Sequence, residues 1–175
     1  MTPPNVVSLL RVLAVPVVMA VILYGDAWLA AAVYVAAAAS DSLDGYLARS
    51  RNWTSVAGAF LDPLADKLLV TGAMLALVEI DRLSSWAVIA IVAREFAISG
   101  VRMIAAARND VISASGAGKL KAFAQNVMIV VLLLSGGEPW LDGAAVAVAI
   151  ALSYWSLLGY AVRARRHFAA RPVAP

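Results

Sequence analysis

Apolar positions dominate six long stretches of the chain, and short polar stretches separate them. The apolar segments are Val6–Tyr24, Trp28–Leu47, Ala59–Val78, Trp86–Ala107, Ala117–Ser135 and Leu141–Val162. About 20 residues of α-helix cross the hydrocarbon core of a bilayer, so each segment is long enough to span a membrane. The pattern predicts an all-α membrane protein with six transmembrane helices, which form a single domain over residues 1–175. A short N-terminal lead at Pro3–Asn5 and a turn at Arg49–Ser55 flank the first and third helices.

Composition supports the membrane class and excludes several others. Hydrophobic residues make up 63% of the 175 positions, whereas soluble domains are usually about 45–50% apolar. The chain has no cysteine, so disulfides and thiolate metal sites are excluded. Nucleic acid is an unfavoured partner, because the basic residues lie at segment ends and not along one soluble face.

The basic residues also orient the predicted helices. One set of connections and the tail hold most of them: Arg49, Arg51, Arg108, Lys119, Lys121, Arg163, Arg165, Arg166 and Arg171. The opposite set holds only Arg82, next to five acidic residues. Positively charged connections stay in the cytoplasm, so both termini are expected to be cytoplasmic. Trp28, Trp86 and Trp140 then lie near the opposite interface, where aromatic residues are enriched.

Four aspartates lie where the second and third segments meet. Asp41 and Asp44 are three residues apart, and Asp62 and Asp66 are four apart, so each pair shares one face of its helix. Carboxylates this close repel one another unless cations neutralise them. Ligand sets made only of oxygen select hard ions, and four carboxylates suit two Mg²⁺ or Mn²⁺ ions that hold a phosphoryl group. The spacing predicts a metal site in a polar cavity that opens to the cytoplasm.

Small and basic residues accompany the aspartates. Gly45, Ala48 and Gly58 leave room for a ligand to approach the helix backbone, and Arg49 can donate two hydrogen bonds to phosphate. Pro63 is expected in or near the first turn of the third helix, where a missing N–H is tolerated. Taken singly, an aspartate at a helix end is often a cap, and a glycine often serves helix packing. Neither alternative explains the alignment of all four carboxylates.

This stretch resembles the signature of the CDP-alcohol phosphotransferase family. That signature reads Asp-x-x-Asp-Gly-x-x-Ala-Arg, a spacer, and Gly-x-x-x-Asp-x-x-x-Asp, and all eight of its positions match residues 41 to 66. The resemblance implies six transmembrane helices and a Mg²⁺-dependent enzyme that transfers a phosphatidyl group from CDP-diacylglycerol to an alcohol and releases CMP. By the same likeness, Asp41, Asp44 and Asp62 are metal ligands, and Asp66 is a second-metal ligand and the general base. The positions expected to bind CDP-diacylglycerol are Asn5, Gly45, Ala48, Arg49, Ser55 and Gly58.

A second polar group predicts where the acceptor binds. Arg94 and Arg102 are eight residues apart in the fourth segment, nearly on one helix face, and Lys119 and Lys121 open the fifth. Four basic side chains near the metal site suit an acceptor that carries its own phosphate. Two alternatives stay open: Arg94 can pair with Glu95 or another helix, and the lysines can be ordinary positive-inside residues.

The same segments resemble the bacterial phosphatidylglycerophosphate synthase subfamily. The likeness lies in residues 60–67, in Arg94-Glu95 with residues 98–102, and in Gly118-Lys119 with Gln125. It implies glycerol 3-phosphate as the acceptor, and we expect a homodimer in the bacterial inner membrane. Phosphatidylinositol phosphate synthase and cardiolipin synthase of the same family remain alternatives. A cation or proton transporter is a remote one, because transporter sites usually lie near the membrane midplane.

Overall fold

The computed structural model describes residues 3–50, 56–107 and 116–170, and within them the side chains of residues 12–40, 64–101, 103, 116 and 118–162. Every regular element in the described ranges is an α-helix, which confirms the predicted all-α class. The helices are α1 (Pro3–Tyr24), α2 (Ala27–Ser50), α3 (Val56–Glu79), α4 (Ser85–Ala107), α5 (Gly116–Leu134) and α6 (Pro139–Ala170). Each corresponds to one apolar segment of the sequence.

Three predicted placements near helix ends were wrong, because the helices extend beyond the apolar segments predicted for them. The lead at Pro3–Asn5 belongs to α1, and a proline fits a first turn because its missing N–H would have no partner there. Arg49 lies in α2 and not in the following turn. Since α3 begins at Val56, Pro63 lies beyond its first turn.

The described helix ends have local causes in the sequence. Asp26 caps α2, since its Oδ1 accepts hydrogen bonds from the backbone N–H groups of Trp28 and Leu29, each at 3.0 Å. At the end of α3, Asp81 adopts a left-handed conformation with a φ of 55°. The N–H of Arg82 then donates to the carbonyl of Leu77 at 2.8 Å, which closes the helix with a turn.

The core forms where α1 packs closely on α3 and where α2, α4 and α5 pack around them. Fully buried side chains include Tyr34, Leu69, Leu77 and Leu132. Helices α1 and α3 lie close together at Gly72 of α3, where an added Cβ would lie 2.7 Å from Cγ1 of Val15 on α1. A small residue is therefore needed there, as in many membrane helix pairs.

One span of the described residues, Pro139–Val162, is long and apolar enough to cross a membrane. Trp28, Trp86 and Trp140 lie in the first turns of α2, α4 and α6, and each is more than 70% exposed. Aromatic side chains in such positions are typical of a membrane interface. The six-crossing topology stays a prediction.

Candidate active site

The signature residues lie on the end of α2 and the first half of α3. Asp41 and Asp44 lie one turn apart in α2, and Asp62 and Asp66 lie one turn apart in α3. Among these four carboxylates, Asp66 is the one whose side chain the structure describes. For the other predicted metal and nucleotide positions the structure describes at most the backbone. These positions are Asn5, Asp41, Asp44, Gly45, Ala48, Arg49, Gly58 and Asp62, and Ser55 lies wholly outside the described residues.

Asp66 is half-buried between three helices. Its carboxylate on α3 lies within electrostatic range of the Tyr34 hydroxyl on α2 and the Lys121 ammonium on α5. Tyr34 is fully buried, and its hydroxyl donates a hydrogen bond of 2.5 Å to Oδ1 of Asn126 on α5. The last aspartate of the signature therefore lies within electrostatic range of a polar hydroxyl and of a basic group.

That basic group is an ionic cluster formed by Arg94, Glu95 and Lys121. Oε1 of Glu95 accepts hydrogen bonds from Nη1 of Arg94 and from Nζ of Lys121, both at 2.6 Å. Arg94 and Lys121 are both buried, at 5% and 8% exposure. The cluster has two cations and one carboxylate, so it carries a net positive charge and suits an anion nearby.

Helix α6 holds Arg94 from the other side. Its Nε donates to the carbonyl oxygen of Ser153 and its Nη2 to Oγ of Ser156, both at 2.9 Å. Gln125 of α5 donates to Oγ of Ser153 at 3.3 Å. Arg94 is therefore in the paired arrangement that the sequence left open as an alternative to direct phosphate binding.

A further polar contact joins α3 and α4 beside the signature. Lys67, which follows Asp66 in sequence, donates a hydrogen bond from Nζ to Oγ of Ser99. Both residues lie in segments that carry the subfamily resemblance. Lys67 thus places a second cation close to the signature and to the part of α4 that precedes Arg102.

The structure does not unite the whole predicted acceptor set. Lys121 and Arg94 meet through Glu95, but the side chain of Lys119 is exposed. Residues 119 and 121 are about 200° apart around a helix, so one lysine faces the bundle and the other faces outward. The side chain of Arg102 lies outside the described residues.

Sequence reasoning missed the residues that organise the cluster. Glu95 was predicted as a possible partner of Arg94 and as part of the subfamily resemblance, and no role was predicted for Ser153 and Ser156 in their apolar segment. Their signal was the spacing of three residues between two serines in that segment, because such a pair forms a polar stripe on one helix face. A polar stripe in an apolar helix usually faces a polar partner.

The donor set fits a hard divalent cation. It consists of carboxylates, which Mg²⁺ and Mn²⁺ accept as ligands, and one of them, Asp66, is half-buried beside the cluster. No group of three or more potential metal ligands occurs among the described side chains. This is expected, since three of the four aspartates are not among them.

Comparisons with known proteins agree with this arrangement. A family model described as CDP-alcohol phosphatidyltransferase matches residues 1–155. The chain is 38% identical to "CDP-diacylglycerol--glycerol-3-phosphate 3-phosphatidyltransferase" of Bacillus subtilis over 75% of this chain and 76% of that protein. It is 36% identical to the protein of the same name from Salmonella choleraesuis, over 93% of this chain and 94% of that protein. It is 35% identical to "Probable phosphatidylglycerophosphate synthase" of Mycobacterium tuberculosis, over 93% and 81% of the two chains.

Proposed function

The chain belongs to the CDP-alcohol phosphatidyltransferase family, and we propose that it transfers a phosphatidyl group from CDP-diacylglycerol to glycerol 3-phosphate. The products are phosphatidylglycerophosphate and CMP, so the protein acts in phospholipid biosynthesis. The names of the Bacillus and Salmonella relatives state this donor and this acceptor. One geometric observation supports a phosphorylated acceptor: the buried side chains of Arg94 and Lys121 meet at one carboxylate, with hydrogen bonds of 2.6 Å to Oε1 of Glu95, so two cations share one anion.

In the proposed reaction a hydroxyl of glycerol 3-phosphate attacks the β-phosphorus of CDP-diacylglycerol. A new bond forms between that oxygen and phosphorus, and the bond from phosphorus to the CMP oxygen breaks. Asp66 accepts the proton of the attacking hydroxyl, because a carboxylate within hydrogen-bond reach can act as a general base. Lys121 holds the acceptor phosphate, and Arg102 of the predicted acceptor set is proposed to assist it. Arg94 contributes through its bond to Glu95, and Lys119 is exposed.

We propose Asp41, Asp44, Asp62 and Asp66 as the ligands of two Mg²⁺ ions, with Mn²⁺ as a substitute. When bound, the ions would neutralise charge on the diphosphate and stabilise the leaving oxygen. Arg49 contributes a permanent positive charge with a planar fork that matches phosphate. Asn5, Gly45, Ala48, Ser55 and Gly58 complete the proposed surface for the nucleotide and the diphosphate.

We also propose six membrane crossings with both termini in the cytoplasm of a bacterium, and a homodimer in the inner membrane. The chain has no cysteine, so single cysteines can report the topology without background. Gly116 and Glu138 are both exposed and lie at opposite ends of α5. In right-side-out vesicles a membrane-impermeant maleimide should label Glu138→Cys and spare Gly116→Cys. Labelling of both in intact vesicles would contradict the topology.

The function is tested with an acceptor panel. Purified protein, CDP-diacylglycerol and Mg²⁺ are incubated with glycerol 3-phosphate, inositol 1-phosphate or phosphatidylglycerol, and CMP release is measured. We expect the highest kcat/KM with glycerol 3-phosphate. A preference for either other acceptor would change the acceptor and leave phosphatidyl transfer in place. No CMP release with any acceptor would contradict the transferase function.

A further inference from the structure

Glu95 joins two cations that come from different helices. Its Oε1 accepts both hydrogen bonds, from Arg94 of α4 and from Lys121 of α5, at the same distance of 2.6 Å. Charge-assisted hydrogen bonds of this length are about twice as strong as neutral ones. Oε1 of Glu95 on α4 therefore restrains the orientation of the Lys121 side chain on α5.

Arg94 is the fixed end of this chain of contacts. Its guanidinium uses Nε, Nη1 and Nη2 to reach the Ser153 carbonyl, Glu95 and Ser156, so each nitrogen has a protein partner. The residue is 5% exposed. A guanidinium held on two helices and out of solvent is suited to holding another residue in place, because moving it toward a substrate would break several buried hydrogen bonds.

Lys121 is the adjustable end. Its four-carbon stem would otherwise have considerable rotational freedom, and Glu95 restrains its ammonium group with one hydrogen bond. An ammonium group has three N–H donors, and the bond to Glu95 uses one of them. The same ammonium lies within electrostatic range of Asp66, the proposed base.

We propose that Glu95 is a positioning residue that orients Lys121 toward the phosphate of the acceptor, with Arg94 as its anchor on α6. This role rests on the proposed function, and it replaces direct phosphate binding by Arg94 with an indirect contribution. The opposite possibility is that Glu95 occupies the anion position until the acceptor displaces it. In that case its removal would tighten acceptor binding.

The test compares Glu95→Gln with wild type in steady-state kinetics, with each substrate varied in turn. Glutamine keeps the shape and the acceptor oxygen but removes the charge that restrains Lys121. We expect the KM for glycerol 3-phosphate to rise roughly tenfold, while the KM for CDP-diacylglycerol stays within about twofold. The matched control is Glu79→Gln, an exposed glutamate at the far end of α3, which should leave both constants unchanged.

A double-mutant cycle separates positioning from a general structural role. If Glu95 acts through Lys121, adding Glu95→Gln to Lys121→Met should change the acceptor KM by less than about twofold, because the group to be oriented is gone. A full additional tenfold effect in the Lys121→Met background would overturn the proposal, and so would a lowered KM in Glu95→Gln. If Glu95→Gln does not fold, the same cycle is measured with Glu95→Asp. Aspartate keeps the charge but is shorter, so it also tests whether Glu95 acts on the acceptor KM through Lys121. Wild-type protein that released no CMP would refute the proposed function instead.

Discussion

Arg82 and Asp142 form an ion pair, with 3.2 Å between Nη2 and Oδ2, that joins the two turns at the end of the bundle opposite the signature. The same Nη2 donates to the carbonyl oxygen of Leu132 at 2.5 Å and to Oγ of Ser135 at 2.6 Å. Ser135 in turn donates to Oδ1 of Asp142 at 2.5 Å. Arg82 therefore connects the α3–α4 turn to the end of α5 and the start of α6.

Removal of this connection should lower the stability of the fold. Both side chains are mostly shielded, at 22% and 16% exposure, so an unpaired partner would be costly. We expect Arg82→Ala to decrease the free energy of unfolding by about 2–3 kcal/mol. Thermal unfolding in detergent measures this, with Glu138→Gln in the turn between α5 and α6 as the exposed control. An unchanged unfolding temperature for Arg82→Ala would contradict a stabilising role.

The contact between α1 and α3 leads to a second stability prediction. A Cβ at Gly72 would lie 2.7 Å from Cγ1 of Val15, and valine has little freedom to move aside. Gly72→Ala should therefore destabilise the protein by about 1–3 kcal/mol. Gly143→Ala is the control, since nothing lies within 4 Å of its added Cβ. Adding Val15→Ala should restore stability to Gly72→Ala, and a failure to do so would mean that the clash is not the cause.

Metal dependence follows from the four carboxylates of the signature. Protein treated with EDTA should release no CMP, and Mg²⁺ or Mn²⁺ should restore turnover. Asp41→Asn and Asp62→Asn should raise the Mg²⁺ concentration that gives half-maximal rate, because each removes a proposed ligand. Full activity in excess EDTA would rule out a metal-dependent reaction.

Substitution of Asp66, the proposed base, should give a different kinetic result from substitution of the other aspartates of the signature. Asp66→Asn should lower kcat by roughly 10²-fold or more at saturating Mg²⁺ and substrates, because asparagine cannot take the proton of the attacking hydroxyl. The measurement is single-turnover CMP release, which isolates the chemical step. Near-normal turnover would show that another group accepts the proton.

The two lysines of α5 provide a matched pair for the acceptor site. Lys121 is buried in the ionic cluster, and Lys119 is exposed. A charge-assisted contact to phosphate contributes about 1.5–3 kcal/mol, so Lys121→Ala should raise the KM for glycerol 3-phosphate roughly 10–100-fold. Lys119→Ala should change it far less. Equal effects of the two substitutions would contradict a phosphate site at Lys121.

Local sequence patterns were sufficient to predict the helices and to identify the signature. Apolar stretches of helical length predicted six helices, and spacings of three and four residues placed Asp41 with Asp44 and Asp62 with Asp66 on their helices. Both inferences depend only on the period of the α-helix, so no distant contact is needed. Boundaries such as the start of α1 at Pro3 were missed because polar residues can extend a helix beyond its apolar part.

The tertiary structure decided which polar residues meet. Arg94 binds Ser153 and Ser156 across 59 and 62 positions of the chain, and Lys121 binds Glu95 across 26. By charge alone, the sequence does not distinguish Lys119 from Lys121. The packing of α5 against its neighbours buries Lys121 and leaves Lys119 exposed. Likewise, Arg82 is an isolated basic residue in the sequence, and its role as a connector appears only once two turns lie at the same end of the bundle. Helix periodicity is a local property, whereas the partner of a buried charge depends on which helices pack together.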